Sequence, residues 1–379
     1  MVSLNESENR RRSSATSIAL VANGSFRNSR AVSGVPYFLA QAMQELAIVV
    51  PINAYPNRPV RWLARALTFR RRRDRWDEVF LHGWLQAALR SAIRDLKLIG
   101  RSGDVRHVIH IRSWYFPSRL PYSAFIDATS TMLQGAAPKW TLPEVQQVKR
   151  RRREQRYYSG ATKIFVASRA AFDSLTEHYD VPPQKIVLTG NGLNSFSGRS
   201  PSERSGPARK FLFVGKEVQR KGLDLLLEAM ASVHESRPGI TLTIAGVDQQ
   251  QLPGWTRDAS WIDVQGLIQD RDVLRDVYDA HDVLCLPARQ EAFGLVALEA
   301  MSRGLACVVT NVGELPVNVR DGIEGRVITP EDGPGLATVI FELSDVSTDL
   351  RRMSASAITR AGAFSWLSIS KQMLSTIGL

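Results

Sequence analysis

Short, uninterrupted apolar runs alternate with helically spaced stretches along most of this chain. KFLFVG (210–215) precedes LDLLLEAMASVHES (223–236), and ITLTIAG (240–246) precedes RDVLRDVYDAH (271–281). DVLCLP (282–287) precedes FGLVALEAMSRG (293–304), which leads into ACVVTN (306–311). Strands that are apolar throughout are buried on both faces, so they belong to parallel sheets covered by the intervening helices. The first half repeats the pattern. SIALVAN, AIVVPINAY, HVIHIRS, SAFIDAT, KIFVAS and KIVLTGN read as strands. GVPYFLAQAMQEL, WLARALTFRRRRDRW, GWLQAALRSAIRDLKL and AAFDSLTEHY read as helices.

The two halves are separated by LNSFSGRSPSERSGPAR, which is rich in Ser, Gly, Pro and Arg and has no periodicity. The expected organisation is a disordered basic N-terminus over 1–16 and a doubly wound α/β domain over 17–193. A linker over 194–209, a second such domain over 210–362 and a closing helical segment over 363–379 follow. Doubly wound sheets bind ligands at the carboxyl ends of their strands, which makes the cleft between the domains the expected site.

No run of about 18 apolar residues occurs, so no spanning helix is expected. SIALVA is too short for a secretory core and reads as a strand. Cys285 and Cys307 both lie in apolar strand-like runs, which favours buried thiols in a reducing compartment and a cytoplasmic location. Charge is unevenly placed: residues 1–200 hold 31 of the 49 Lys and Arg residues but only 14 of the 37 acids. Two segments concentrate it, Arg61–Arg73 beside Trp62, Leu63, Leu67 and Phe69, and Lys149–Arg156 beside Tyr157 and Tyr158. A basic amphipathic helix can lie on an anionic leaflet at the inner face of the plasma membrane. A solvated charged face is the alternative, and no known RNA- or DNA-binding motif is present, so no nucleic-acid partner is expected.

Two loops carry candidate chemistry. In FLFVGKEVQRKGLDLL a strand ends at Gly215, cations crowd the turn and Gly222 precedes a helix. Glycine permits close backbone approach, and cations beside a helix N-terminus suit a phosphate. The GxxxxGK[ST] order is absent, so this is not a Walker A loop. In RQEAFGLVALEAMSRG, Glu291 stands before a helix beginning near Phe293–Gly294, and Glu299 lies roughly 7 Å further along the axis. Unpaired first-turn amides suit phosphate oxygens, and carboxylates suit sugar hydroxyls.

These residues resemble glycosyltransferase family 4 (group 1), retaining nucleotide-sugar enzymes of GT-B fold. The family signature E-x-F-G-L-x-x-x-E-A-x-x-x-G corresponds to Glu291, Phe293, Gly294, Leu295, Glu299, Ala300 and Gly304. Its phosphate turn corresponds to Gly215, Lys216, Lys221 and Gly222, with Lys for Arg at the second position. VGELPVNVRDGIEGRVI adds matches at Gly313, Pro316, Asp321, Gly322 and Gly325, while Glu314 and Val317 depart from the pattern. The likeness covers residues 163–379.

The resemblance implies a GT-B fold of two Rossmann-like domains facing a cleft, with a closing helix packed back on the first domain. It assigns Lys216 and Lys221 to the diphosphate of a UDP- or GDP-linked sugar. Glu291 falls to the sugar hydroxyls, Glu299 to the ribose and the amides near Phe293–Leu295 to phosphate or sugar. Gly34, in Ser33-Gly34-Val35-Pro36, corresponds to a loop approaching the donor phosphate, with Ser33 in place of a first glycine. Asp127 stands where many members carry a histidine. It suits orientation or deprotonation of an acceptor hydroxyl, or equally a helix cap. His110, one strand earlier, reads as a core histidine. No metal or cofactor is implied, and the acceptor is a sugar or a lipid-linked molecule. An epimerase or phosphorylase of the same fold, and a basic lipid- or nucleic-acid-binding protein without catalysis, are the other readings.

Overall fold

The computed structural model describes residues 17–23, 26–27, 34–56, 59, 71–72, 75–76, 80–99, 105–112, 116–134 and 143–379. The chain divides into two compact units, Met1–Gly192 with Trp366–Leu379, and Leu193–Ser365. The basic N-terminus over 1–16 lies outside the described residues, as does most of the Arg61–Arg73 segment.

The first unit is built on a six-stranded sheet: β1 (Ser17–Ala22), β2 (Ile48–Asn53), β5 (Val105–Ile111), β6 (Tyr122–Ile126), β7 (Ile164–Val166) and β8 (Ile186–Leu188). The order is β2-β1-β5-β6-β7-β8 and every neighbouring pair is parallel. β1, β6 and β7 are buried at every position, as uninterrupted apolar strands require. Its helices are α1 (Val35–Gln44), α2 (Phe80–Ile99), α3 (Glu144–Gly160), α4 (Arg169–Tyr179) and α12 (Trp366–Thr376). α12 packs on α1, and the Trp366 ring meets Phe125 edge-on at 6.0 Å. The helix expected over 62–76 does not extend to its end, since β3 (Arg71–Arg72) pairs antiparallel with β4 (Arg75–Trp76).

Several buried polar groups in this unit pair with one another. Arg94, only 1% exposed, donates to the carbonyls of Phe116 and Pro117 at 2.8 and 3.3 Å. Its Nη1 also lies 3.3 Å from His110 Nε2, while His110 Nδ1 lies 2.9 Å from the Tyr157 hydroxyl. Burial, with Arg94 adding to it, holds His110 neutral, so it is a packed core histidine. His107 meets the Ser123 hydroxyl at 2.9 Å, and burial lowers it to about 4. On α3, Glu154, Tyr157 and Tyr158 face the core. Glu154 accepts from Ser130 and from the Tyr179 hydroxyl at 2.8 Å, which ties the loop after β6 to α3 and α4.

The second unit carries its own parallel sheet, in the order β11-β10-β9-β12-β13-β14. The strands are β9 (Lys210–Val214), β10 (Thr241–Ala245), β11 (Ile262–Gly266), β12 (Val283–Leu286), β13 (Ala306–Thr310) and β14 (Gly325–Ile328). Between them run α5 (Val218–Lys221), α6 (Leu223–Ser236), α7 (Arg271–Asp279), α8 (Leu295–Ser302), α9 (Leu315–Asn318), α10 (Gly333–Leu343) and α11 (Arg351–Gly362). One core joins Phe211, Phe213, Leu226, Met230, Ile244, Cys285, Val308, Leu336 and Ile340. Both cysteines are buried and unbridged.

The Ser- and Arg-rich segment at 194–204 is bound along α7. Arg271 donates to Asn194 O at 2.7 Å, and Arg275 donates to Ser197 O at 3.0 Å. Arg204 donates to the carbonyls of Tyr278, Asp279 and His281 at the helix C-terminus, where a cation is favoured.

His107 makes the first unit acid-sensitive. Its folded value is depressed, so the unfolded chain takes up the proton first and stability falls as pH drops from about 6.5 towards about 4. Urea unfolding of a His107→Gln variant across that window is expected to show a shallower pH dependence than the parent.

Candidate functional site

In the second sheet the strand order reverses between β9 and β12, and their carboxyl ends open the crevice at which such sheets bind ligands. The loop after β9 runs through Gly215 and Lys216 into α5 and ends at Gly222. The loop after β12 runs through Arg289 and Glu291 to Gly294. The two are laced together: the Arg289 N–H donates to Arg220 O at 2.9 Å, and Arg220 Nη1 donates to Gln290 O at 2.9 Å. Arg289 grips both oxygens of Asp224 at 2.7 and 2.9 Å and also pairs with Glu331.

Gly222 is obligatory. Its φ is +70°, and a β-carbon there would fall 1.9 Å from the carbonyl oxygen of Pro287, the residue that follows β12. Gly294 has φ +88°, and a β-carbon would meet Leu315 at 2.5 Å. It caps α8 without a side-chain acceptor, so the first-turn amides of that helix lie at the mouth of the loop.

Glu291 and Lys221 form an ion pair across the crevice, with Lys221 Nζ donating to Glu291 Oε2. Glu291 Oε1 accepts from the Gly294 N–H at 3.2 Å, and Arg220 Nη1 stands 3.8 Å from Oε2. Burial pushes this carboxyl up. Lys221, helped by Arg220 and the Gly294 amide, more than offsets the burial and holds it below the ordinary glutamate range. Lys216 is exposed at the edge of the same turn.

Glu299 lies within α8 and faces α7 instead. Oε1 accepts from Arg271 Nη1 at 3.2 Å and Oε2 from the Tyr278 hydroxyl at 3.4 Å. Burial raises its pKa, with Arg271, Tyr278 and Asn194 working against that rise. Phe293 is turned inward against Phe364, so only its backbone is offered to a ligand. Leu295 begins α8 and is half-buried.

Gly34 and Asp127 gather at the corresponding strand ends of the first unit, where the order reverses between β1 and β5. Gly34, at φ +80°, caps α1. Asp127 accepts from Arg112 Nη2 at 2.7 Å and from the Ala128 N–H at 3.0 Å, so it anchors its own turn and an ion pair together. Val35, Ile111, Arg112, Phe125 and Asp127 line a small pocket there.

The structure thus brings Gly215, Lys221, Gly222, Glu291 and Gly294 to one place, with Lys216 at its edge and Glu299 one helix turn deeper. Sequence reasoning missed Arg271, Tyr278 and Arg289. A cation opening α7, against the helix dipole, was the available signal for Arg271.

Removing one partner of the Lys221–Glu291 pair leaves a buried charge. Lys221→Met and Glu291→Gln are each expected to lower Tm, and the double variant by less than their sum, with a coupling of about 1–3 kcal/mol. In Lys221→Met burial dominates Glu291. Its loss of stability is then expected to shrink as pH falls and the carboxyl takes up a proton. In the parent the pair stabilises at neutral pH and is lost only as pH falls through the depressed folded value.

Residues 208–345 match the family described as Glycosyl transferases group 1. The chain is similar to the D-inositol 3-phosphate glycosyltransferase of Corynebacterium kroppenstedtii, with 29% identity over 242 residues. That alignment spans 58% of this chain and 54% of the relative, and the chain spans about half the length of the curated relatives it matches. Among solved structures it resembles sucrose-phosphate synthase from Thermosynechococcus elongatus, with TM-score 0.72, 19% identity and coverage of 96% and 98% of the two chains. It also resembles WaaG, a glycosyltransferase involved in lipopolysaccharide biosynthesis, with TM-score 0.65, 19% identity and coverage of 96% and 99%. The fold is therefore GT-B, two parallel six-stranded sheets with flanking helices.

Proposed function

We propose that this chain, whose second unit carries a group 1 glycosyltransferase domain, moves a sugar from a nucleoside diphosphate donor to a hydroxyl acceptor with retention and without a metal. The cation cluster at the β9/β12 switch point carries the reading. Lys221, Arg220 and Lys216 supply positive charge beside the open N-terminus of α8, which is the chemistry a diphosphate needs.

In this reading the donor diphosphate takes over Lys221 from Glu291, and Glu291 turns to the sugar hydroxyls. The C1–oxygen bond to the diphosphate breaks and its electron pair stays on the departing phosphate. The cations stabilise that charge as it develops. The acceptor hydroxyl attacks the same face of an oxocarbenium-like C1. Its proton passes to the departing phosphate oxygen. The base of the donor is uracil or guanine.

A lipid-linked acceptor in cell-surface polysaccharide or glycolipid assembly fits the outer face of α3. Val145 and Val148 are exposed there, at 67% and 42%, in one stripe with Lys149, Arg152 and Arg156. No helix among the described residues is long and apolar enough to cross a membrane, so contact would be peripheral, at the cytoplasmic face.

Nucleotide release from UDP- and GDP-sugars, screened with candidate acceptors, tests the reaction. Lys221→Ala and Glu291→Gln are expected to reduce it at least a hundredfold while circular dichroism stays native, and EDTA is expected to leave the parent rate unchanged. Activity surviving in both variants contradicts the assignment. Sedimentation with phosphatidylglycerol vesicles is expected to capture the parent at low salt, and to lose most of it on replacing Lys149, Arg152 and Arg156 by Gln.

A further inference from the structure

Glu299 is the second acid of the signature, yet in this structure it is engaged from the inside. Arg271 holds Oε1 and Tyr278 reaches Oε2, and the side chain is 9% exposed. Arg271 is placed with some insistence. It is the first residue of α7, where the helix dipole disfavours a cation, and Asp270 already caps that terminus through the amides of Asp272 and Val273. Glu299, the Asn194 carbonyl at 2.7 Å and the Phe196 ring, 4.3 Å beneath the guanidinium, help to retain it. Phe196 in turn packs on Tyr278, with ring centroids 5.6 Å apart. One planar fork therefore joins the acid to the segment that enters the second unit, a task for which lysine has too few fixed donors.

We propose that Arg271 is the positioning residue of Glu299: it fixes the carboxylate as a charged acceptor for a hydroxyl of the bound nucleotide and anchors it to residues 194–196. The proposal rests on the nucleotide-sugar reading for the identity of the ligand, but the link between Arg271 and Glu299 stands on the contacts themselves. A carboxylate has lone-pair capacity for about four donors, so the internal donors Arg271, Tyr278 and Asn194 leave room for one sugar hydroxyl. Without Arg271, burial is opposed only by the hydrogen bonds from Tyr278 and Asn194, which favours the protonated form, a poorer acceptor. Among the described residues, the titratable groups acting on Glu299 are Arg271 and Tyr278, both of α7, with Cys307 of β13 acting on Tyr278.

Two measurements on the full chain test this. The first is the titration of the Glu299 carboxyl by carbon-13 NMR in the parent, Arg271→Lys and Arg271→Gln. Arg271→Gln is expected to move its midpoint up and Arg271→Lys to move it less. An unchanged midpoint in Arg271→Gln overturns the proposal, whether or not nucleotide binds. The second is UDP and GDP affinity by calorimetry as a function of pH. Arg271→Gln is expected to weaken the nucleotide that the parent binds by roughly tenfold or more near pH 6, to recover as pH rises, and to add nothing in a Glu299→Gln background. A pH-independent loss that adds in full to that of Glu299→Gln overturns it, since that is the signature of a merely structural arginine. A parent that binds neither nucleotide contradicts the donor reading instead, and the carboxyl titration still decides the role of Arg271.

Discussion

The second unit is organised around one contact, the ion pair of Lys221 and Glu291 across the point where strand order reverses between β9 and β12. Two loops of like length could drift apart there. They are held by a glycine with no room for a side chain against Pro287, by the Arg220 and Arg289 backbone ties, and by the pair itself. A buried ion pair is weak evidence for stability, because desolvation cancels much of the attraction. Its value here is that it stores a cation and an acid in register at the mouth of a helix. A diphosphate can replace the acid on Lys221 without any loop having to form anew.

The two acids of the signature are handled differently. Glu291 is depressed by Lys221 and faces the crevice, whereas Glu299 is raised by burial and leans on Arg271 and Tyr278. Spacing alone treats them as a symmetric clasp. Their neighbours make one an exchangeable partner of a cation and the other a fixed fitting tied to residues 194–196.

Much of this was legible beforehand because apolar runs and glycines report local constraints. β9, β12 and β13 were evident as uninterrupted strands, and Gly222 and Gly294 marked turns that no other residue can make. Both cysteines sat where apolar neighbours implied burial. What escaped depended on tertiary partners. The pairing of Arg271 with Glu299 joins positions 28 residues apart, and nothing in the periodicity of α7 selects its first residue over its neighbours. The helices α10 and α11 were passed over although Asp332 and Pro334 announce the first of them, its cap accepting from the Gly335 amide at 2.8 Å. The segment over 194–209 had no apolar periodicity, and its attachment to α7, made by arginine donors, backbone acceptors and the single ring of Phe196, depends on tertiary partners. The run of arginines was read as helix on its flanking apolar spacing, whereas Arg71–Arg72 and Arg75–Trp76 pair as short antiparallel strands.

The central claim is that a diphosphate sits at the β9/β12 switch point and takes Lys221 from Glu291. A crystal structure of the chain with UDP or GDP bound tests it most directly. The account predicts the pyrophosphate within hydrogen-bonding distance of Lys221 and the first-turn amides of α8, with the Lys221–Glu291 contact opened. A nucleotide bound elsewhere, with that ion pair left closed, would contradict it.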